Sequence, residues 1–565
     1  MNATVLVSLL GGLKRHLVSS SLLKLLLLPS ASALESTMPA ASPAARNGEK
    51  QVPHAVVMPW PGQGHINPLL HLSKRLAALG FCITFVNTDY SHTRVTQSIQ
   101  RQQQEEGALA ADKMKAPNFN ITFVALPDGV PAEETRTCDV PQISRGVVRA
   151  AAAFEKLLET LVPPPTCIIS DTYVAHTQDA ANKFSIPRVS FWTQSAACYA
   201  VHAAVAKGVV TLPSGALEAN EQLIMNKLIK TVPGLPPLCR EDMPGFLQCC
   251  DGPDFMFDFC VRPFLRADEA ACVVFNSFEV LEGEVIDGLR DQEPGCQFHS
   301  IGPVLPAEFF SGSKLSLHQP MNRALAYFPE DFNCLKWLDR WDKGSVLYIS
   351  FGSLTELTGA ELEEFALGLE ASGVPLLWVM RPDLLEGGGP GALPEGFEER
   401  TKERVMIIAW APQLHVLAHP AVGAFLTHAG WNSILEGVSQ GLPMLGFPYF
   451  ADQMINCRFI GEVWGNGQAF ERQGAGQLTR ALVEEKARAI MGASAAGDDD
   501  DEARMKEQAA LLRQRASQLR DAAREAVSSN TDGSSIKGLH CLLQCLQVLE
   551  NAESNPHSPQ PFSIS

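Results

Sequence analysis

The sequence predicts two α/β domains, each built on a doubly wound parallel sheet, and three observations support this fold class. Short apolar runs alternate with amphipathic helical stretches in both halves of the chain, as in repeated βαβ units. The predicted strands of the second half end at Pro, Gly or His turns, where such sheets present ligand groups. The 565 residues are too many for one hydrophobic core, so we expect two large domains and tails.

The first predicted domain opens with a strand, a glycine-rich turn, a helix and a second strand. Residues 54–58 are an apolar run that ends in the turn PWPGQGH, and leucines then recur with helical spacing over 67–79. Gly80 ends that helix. Further strands are predicted at 81–87, 121–126, 167–170, 188–191 and 271–275. Residues 302–333 are rich in Pro, Phe and polar side chains and predict a long interdomain linker.

The second predicted domain repeats this order. Strands are predicted at 345–351, 375–380, 405–408, 424–426 and 444–447, with a helix at 361–372. A charged helix covers 502–526, and the acidic run at 498–502 is interpreted as a solvated helix start, not as a metal site. The predicted organisation is a leader at 1–50, domains at 51–305 and 334–505, a linker at 306–333, C-terminal helices at 506–550 and a disordered tail at 551–565.

Composition and charge restrict the function. The formal net charge of −17 argues against a nucleic-acid partner, and any site for an anionic ligand must supply its own positive potential. The 14 cysteines include no C-x-x-C pair, which indicates a reduced, cytoplasmic protein without a zinc site or disulfide framework. No apolar run beyond the leader is long enough for a membrane span, so no stable membrane insertion is expected.

The leader has two interpretations. Lys14, Arg15 and Lys24 flank leucine-rich runs, and Ala31-Ser32-Ala33 resembles a signal-peptidase site, so residues 1–37 could direct the chain to an organelle or the secretory route. Alternatively, translation starts at Met38, or the leader is a disordered extension.

Residues 410–453 are the most informative segment. They read WAPQLHVLAHPAVGAFLTHAGWNSILEGVSQGLPMLGFPYFADQ. A helix begins after Gly430, where Ser433 and Glu436 could form an S-x-x-E capping box; equally, the exposed N–H groups could bind a diphosphate. Asp452 and Gln453 suit sugar hydroxyls, or they begin a helix over 454–459.

This segment closely resembles the sugar-donor signature of plant UDP-glycosyltransferases. The pattern W-x-P-Q, H-P, F-x-T-H-x-G-W-N-S, E-G, G-x-P, P and D-Q is matched throughout, with Ala429 where a cysteine is common. Further matches occur at 61–68, 126–129, 233–238, 276–279, 337–339 and 350–353, so the resemblance covers the chain from about His54 to the C-terminal helices. It implies two facing Rossmann-like domains, the arrangement called GT-B, with the C-terminal helices packed back on the first domain.

The resemblance also implies roles for individual residues. His65 would be the general base and Asp171 its partner. The expected UDP-sugar ligands are Trp410, Gln413 and Glu436 for uracil and ribose; Ser353, His428, Asn432 and Ser433 for the diphosphate; Trp431, Asp452 and Gln453 for the sugar; Thr193 for the sugar or its phosphate; and Ala411, which is assigned to no particular part of the donor.

The implied reaction is a single displacement with inversion. Glucose would pass from UDP-glucose to a hydroxyl or carboxyl of a small, largely apolar metabolite, with no metal ion and no further cofactor. Gln453 resembles the residue of glucose users. We expect a monomer.

Two rival functions remain at this stage. The G-x-G at 62–64 is similar to part of a dinucleotide fingerprint and would suit an NAD-dependent oxidoreductase, although Asn67 replaces the third glycine. A non-catalytic nucleotide-sugar-binding protein could share the same fold, but the presence of both His65 and Asp171 argues against it.

Overall fold

A computed structural model shows two α/β domains that face each other across a cleft. The structure describes residues 52–109, 120–129, 139–210, 234–236, 238, 240–248, 254–310, 325–326, 328–385, 393–470, 478–493 and 499–553. The predicted leader, most of the predicted tail and part of the predicted linker lie outside these residues.

The first domain contains a seven-stranded sheet in the order β3-β2-β1-β4-β5-β6-β7, and every neighbouring pair is parallel. Its strands are β1 His54–Met58, β2 Cys82–Thr88, β3 Ile121–Leu126, β4 Cys167–Asp171, β5 Arg188–Trp192, β6 Cys272–Phe275 and β7 Phe298–Ser300. The central strands are buried along their whole length, as a parallel sheet covered on both faces requires. The strand order reverses between β1 and β4, and this switch point is where such sheets bind ligands.

Helices cover both faces of this sheet. They are α1 Gln63–Ala78, α2 Asp89–Leu109, α3 Val140–Arg149, α4 Ala151–Thr160, α5 His176–Phe184, α6 Ala196–Ala206, α7 Gly245–Gln248, α8 Phe255–Val261 and α9 Glu279–Gln292. Short 3-10 turns follow at Arg240–Asp242, Arg262–Glu269 and Ala307–Phe310. The helix predicted at 67–79 begins earlier, at Gln63, so His65 lies in the first turn of α1. Pro68 lies inside this helix and not at its start, so the helix lacks the hydrogen bond that an N–H at this position would make.

The second domain contains a six-stranded parallel sheet in the order β10-β9-β8-β11-β12-β13. Its strands are β8 Val346–Ser350, β9 Leu376–Val379, β10 Val405–Ile408, β11 Val422–Thr427, β12 Met444–Gly446 and β13 Gly467–Ala469. Its helices are α10 Asn333–Leu338, α11 Gly359–Ser372, α12 Phe397–Thr401, α13 Gln413–Leu417, α14 Trp431–Gln440, α15 Gln453–Arg458 and α16 Arg480–Met491, with a π-helical turn at Phe459–Val463. The switch point of this sheet lies between β8 and β11.

Two C-terminal helices, α17 Asp499–Ala526 and α18 Ser534–Glu553, return to the first domain. Helix α17 contacts α14 and α16 and then α9 of the first domain. Leucines of α18 enter the core beneath β1 and β6, and the Ser535 hydroxyl donates to the Gly302 carbonyl. The predicted GT-B arrangement with C-terminal helices packed back on the first domain is therefore confirmed.

The element boundaries differ from the predictions in a few places. Strands β7 and β13 have three residues each and were missed, because a run that short carries no periodic signal. Helix α17 begins at Asp499, so the acidic run starts the helix, and α17 continues across the predicted domain boundary at 505. Helix α18 extends to Glu553, past the predicted start of the disordered tail at 551.

Candidate functional site

A histidine–carboxylate pair lies at the switch point of the first sheet. His65 follows β1 on α1, and Asp171 is the last residue of β4, the neighbouring strand. The His65 Nδ1 atom lies 2.6 Å from Asp171 Oδ2. The Asp171 side chain is fully buried, whereas 15% of the His65 side chain is exposed. The buried carboxylate can therefore hold the proton of Nδ1 and leave Nε2 unprotonated on the accessible side of the ring.

One backbone donor and one side-chain donor hold Asp171 in position. The Tyr173 N–H donates to Asp171 Oδ1 at 2.9 Å, and Arg188 Nη2 donates to the Asp171 backbone carbonyl at 3.2 Å. Thr193, predicted to contact the sugar or its phosphate, has its hydroxyl oxygen 2.8 Å from His65 Nδ1 and 3.4 Å from Asp171 Oδ2. The Thr193 hydroxyl is thus engaged by the pair, and its contact with the donor stays a prediction.

The carboxyl ends of both sheets border one cleft with about 1300 Å³ of empty space, open solvent included. Of the predicted site residues, only Asp171, which lies behind His65, does not line it. The thirteen that do are His65, Thr193, Ser353, Trp410, Ala411, Gln413, His428, Trp431, Asn432, Ser433, Glu436, Asp452 and Gln453. Residues far apart in sequence are therefore brought to a common surface.

The start of α14 forms one wall of the cleft. Its N-cap is Gly430, and no side chain caps the helix. The predicted capping box is therefore wrong: Ser433 is the third helical residue, and its hydroxyl accepts from Gln413 Nε2 at 3.3 Å. An uncapped helix start has N–H groups and a positive dipole end available for an anion such as a diphosphate.

Asn432 connects this wall to the first domain. Pro68 has no N–H, so the Gly64 carbonyl four residues earlier in α1 has no helical partner. Asn432 Nδ2 donates to that carbonyl at 2.6 Å. Because of Pro68, the Gly64 carbonyl next to His65 can accept a hydrogen bond from the second domain.

Trp431 makes a second interdomain bond. Its ring is buried, and its Nε1–H donates to the Asn276 carbonyl at 2.7 Å. The indole N–H is not free for a sugar hydroxyl, so a sugar contact by Trp431 must use its backbone N–H at the helix start.

His428 lies between two glycines. A Cβ atom added at Gly352 would lie 2.5 Å from His428 Cε1, and one added at Gly430 would lie 2.4 Å from Nε2. Burial, with a smaller effect from the charge of Arg381, lowers the pKa of His428 to about 4. The ring is therefore neutral at pH 7 and carries a single N–H, for which the Ser350 carbonyl is an acceptor, so its contact with a phosphate stays a prediction.

Gln413 and Glu436 form a polar pair at the other end of the cleft. Gln413 Oε1 accepts from the Tyr348 hydroxyl at 3.0 Å, and its Nε2 donates to Glu436 Oε2 at 2.6 Å. Burial raises the pKa of Glu436 to about 7. The ring of Trp410 lies beside them with its centroid 5.4 Å from that of Phe328. This is a flat apolar surface next to groups suited to hydroxyls.

Asp452 and Gln453 lie where the second domain approaches His65. Asp452 is buried and accepts from Asn456 Nδ2 at 2.7 Å, and burial raises its pKa to about 6. Gln453 Oε1 accepts from the N–H groups of Tyr449 and Phe450 at 2.7 and 3.1 Å. Because its oxygen is occupied by this turn, Gln453 offers the cleft an NH₂ donor.

Several lining residues were not predicted. Gln194 follows Thr193, and Leu325 and Ala326 come from the end of the predicted linker. Asn67 binds both the N–H and the carbonyl of Leu325, at 3.0 and 3.2 Å, which fixes this segment at the edge of the cleft. Leu325 and Ala326 neither follow a predicted strand nor belong to the matched family pattern, so no sequence signal marked them.

The described side chains include no cluster of three or more His, Cys, Asp and Glu suited to a metal ion. Within the same parts of the chain, no helix combines the length and apolar composition that a bilayer span requires.

Comparisons with known proteins agree with this geometry. Residues 52–232 match the family model "Glycosyltransferase, N-terminal domain", and residues 333–487 match "UDP-glucoronosyl and UDP-glucosyl transferase". Linamarin synthase 1 of Manihot esculenta is 37% identical over 426 residues, which cover 74% of this chain and 84% of that protein. The (R)-mandelonitrile beta-glucosyltransferase of Prunus dulcis is 36% identical over 463 residues, covering 78% and 89%.

Solved structures share the fold. The crystal structure of Os79 from O. sativa in complex with UDP is 25% identical, has a TM-score of 0.68, and covers 88% of this chain and 99% of that one. The rival function of an NAD-dependent oxidoreductase is therefore wrong. The chain belongs to the plant family 1 UDP-glycosyltransferases.

Proposed function

We propose that this enzyme transfers glucose from UDP-glucose to a hydroxyl or carboxyl of a small, largely apolar metabolite with inversion at the anomeric carbon. The observation that carries the proposal is the buried Asp171 carboxylate 2.6 Å from His65, beside a cleft lined by thirteen of the predicted site residues. In this proposal the first domain supplies the base and the second domain supplies most of the donor surface.

The mechanism follows from the tautomer of His65. Asp171 retains the Nδ1 proton, and Nε2 takes the proton of an acceptor hydroxyl as its oxygen attacks the anomeric carbon. The bond from that carbon to the diphosphate oxygen breaks, and UDP leaves with the bond electrons. Attack opposite the leaving group converts an α-linked donor into a β-glycoside. Asp171 stabilises the imidazolium that forms.

The leaving group is stabilised by the second domain in this proposal. The start of α14 directs N–H groups and the positive end of its dipole at the diphosphate, and His428 would serve as a ring donor if its one N–H turned from the Ser350 carbonyl to a phosphate oxygen. Trp410 stacks on uracil, with Ala411 beside it; Glu436 binds the ribose, and Asp452 and the Gln453 amide bind the sugar. No metal ion or further cofactor is assigned a role, and a cytoplasmic monomer stays a prediction.

The proposed acceptor class, a small and largely apolar metabolite, rests mainly on the relatives. The Trp60 ring lies 5.0 Å from that of His65, and the Tyr173 ring lies 6.3 Å from it and stacks on Phe259 at 5.9 Å. Trp60 and Tyr173 are buried and are not among the residues that line the cleft, so they make the surroundings of the base apolar without forming an acceptor pocket. The relatives named above and a 7-deoxyloganetin glucosyltransferase of Catharanthus roseus act on small metabolites of this size class.

The test is UDP release by the wild-type protein with UDP-glucose and a panel of small alcohols and phenols. His65→Ala should keep donor affinity within about twofold and slow transfer to alcohols by about 10²–10⁴-fold, the usual contribution of a positioned base. His419→Ala is the matched control, since His419 forms a comparable pair with Asp339 (3.3 Å) outside the cleft. Full transfer by His65→Ala to a weakly acidic alcohol would require another base.

A further inference from the structure

Among the described residues, those that line the cleft include no lysine and no arginine, although the cleft is the proposed site of an anionic diphosphate. The protein itself carries a formal charge of −17, so its long-range field repels such a ligand. A local positive charge must therefore act from behind the lining. Arg381 is a cation of this kind.

Arg381 follows β9, and only 1% of its side chain is exposed. Its Nη1 donates to the Gly352 carbonyl at 2.5 Å, and its Nη2 donates to the Thr355 carbonyl at 2.7 Å. Its Nε donates to Asp383 Oδ1 at 3.0 Å. The guanidinium is thus attached to both ends of the loop that follows β8 and lines the cleft with Ser353.

We propose that Arg381 is a positioning residue for the diphosphate of the donor, which turns the N–H of Ser353 toward the phosphates and supplies positive potential through the loop. In a trans peptide the carbonyl and the N–H point in opposite directions. Because the Gly352 carbonyl points at Arg381, the Ser353 N–H of the same peptide points away from Arg381.

The loop conformation depends on this contact. Gly352 has a φ of +74°, a left-handed conformation that glycine adopts without strain, and the His428 ring occupies the space of a Cβ atom. Arg381 therefore binds the backbone of the same glycine against which His428, a predicted phosphate ligand, is packed. Arginine suits this position because its planar fork binds two carbonyls and keeps its charge when buried.

The inference rests on the proposed donor site, and the experiment is designed so that failure of the donor site and failure of the Arg381 role give different results. Dissociation constants for UDP and for uridine are measured by calorimetry on the full-length protein. If the wild-type protein binds UDP no more tightly than uridine, the proposed donor site fails, whatever Arg381 does.

Arg381→Gln should weaken UDP binding by about tenfold, the scale of one charge acting across a loop, and leave uridine affinity within about twofold. Asp383→Asn keeps an acceptor for Nε but removes the neutralising charge, so it should strengthen UDP binding by about two- to threefold. A purely structural role would not produce these opposite signs. Arg404→Gln is the matched control, because Arg404 also donates to a backbone carbonyl, that of Glu370, but lies at the amino end of β10, away from the cleft.

Equal losses of UDP and uridine affinity in Arg381→Gln would overturn the inference, as would no loss. If Arg381→Gln does not fold, Arg381→Lys and Asp383→Asn decide the question. Lysine keeps the positive charge but cannot bind two carbonyls at once. UDP affinity in Arg381→Lys should therefore fall by less than the tenfold expected for loss of the charge. Unchanged UDP affinity in Asp383→Asn would then reject the role of the charge.

Discussion

Replacing Asp171 by asparagine tests the proposed base through its partner. The Tyr173 N–H, 2.9 Å from Asp171 Oδ1, requires an acceptor, so the carbonyl oxygen of the introduced amide would occupy that position. The NH₂ group would then face His65 Nδ1, which lies 2.6 Å from Oδ2 in the wild-type protein. An amide NH₂ group donates hydrogen bonds and cannot accept one. His65 Nδ1 must therefore become the acceptor, and the ring proton moves to Nε2.

The expected loss follows from this reversal. Nε2 would no longer accept the hydroxyl proton in the dominant tautomer, and the imidazolium would lose a charge-assisted hydrogen bond worth about 1.5–3 kcal/mol. At about 1.4 kcal/mol per factor of ten, loss of this hydrogen bond alone should slow transfer to an alcohol by about 10- to 10²-fold. The loss should be smaller than in His65→Ala, because the imidazole is still present.

The assay is the initial rate of UDP release at saturating UDP-glucose, with an aliphatic alcohol and with a more acidic phenol. The phenol should lose less rate, since it is already partly ionised and depends less on a base. Asp339→Asn changes the comparable pair with His419 outside the cleft and should leave both rates unchanged. The reasoning is refuted if Asp171→Asn slows both acceptors equally, or if UDP affinity falls as much as the rate.

Two further predictions concern the second domain and the domain interface. Gln453→Glu keeps an oxygen for the N–H groups of Tyr449 and Phe450 but replaces the NH₂ donor by a charged oxygen, so UDP-glucose should lose about tenfold more affinity than UDP does. Equal losses in a competition titration would make Gln453 a structural residue. Burial raises the pKa of Glu282 from 4.5 to about 7, so the folded protein retains a proton there that the unfolded chain loses, and the stabilisation is lost as pH rises from about 4.5 to 7. Glu282→Gln cannot ionise and should raise the free energy of unfolding by up to about 3 kcal/mol at pH 8 but little at pH 4.5, which denaturant titration at both values measures.

Much of the fold was predictable because parallel strands buried on both faces read as continuous apolar runs. Strands β1, β3 and β10 have the predicted bounds, and most others differ by one or two residues. What the sequence could not show was the direction of individual side chains. Ser433 and Glu436 have the spacing of a capping box, but the same spacing occurs inside a helix that begins two residues earlier.

The candidate site was predictable where it follows strand ends and matches a known pattern. The contact of Thr193 with His65 depends on how the ends of β1 and β5 lie in the first sheet, and the bond from the Trp431 indole to Asn276 depends on how the two domains meet; no local pattern records either. Arg381 was missed for a different reason. An arginine in the sequence Met-Arg-Pro-Asp after a strand suggests an exposed turn, because arginine is rarely buried unless it is paired.

The ionisation states of the groups that line the cleft explain why Arg381 and the start of α14 are important for donor binding. Burial moves three ionisable groups at its surface toward their neutral forms: it lowers the pKa of His428 to about 4 and raises those of Glu436 and Asp452 to about 7 and 6. Neutralising the carboxyl groups would reduce repulsion of a diphosphate, but a neutral His428 contributes no compensating cation. The attraction must then come from fixed dipoles at the start of α14 and from Arg381 behind the loop after β8. Donor affinity should therefore vary with pH mainly through Glu436 and Asp452, and it should weaken as pH rises through 6 to 7 and these carboxyl groups ionise.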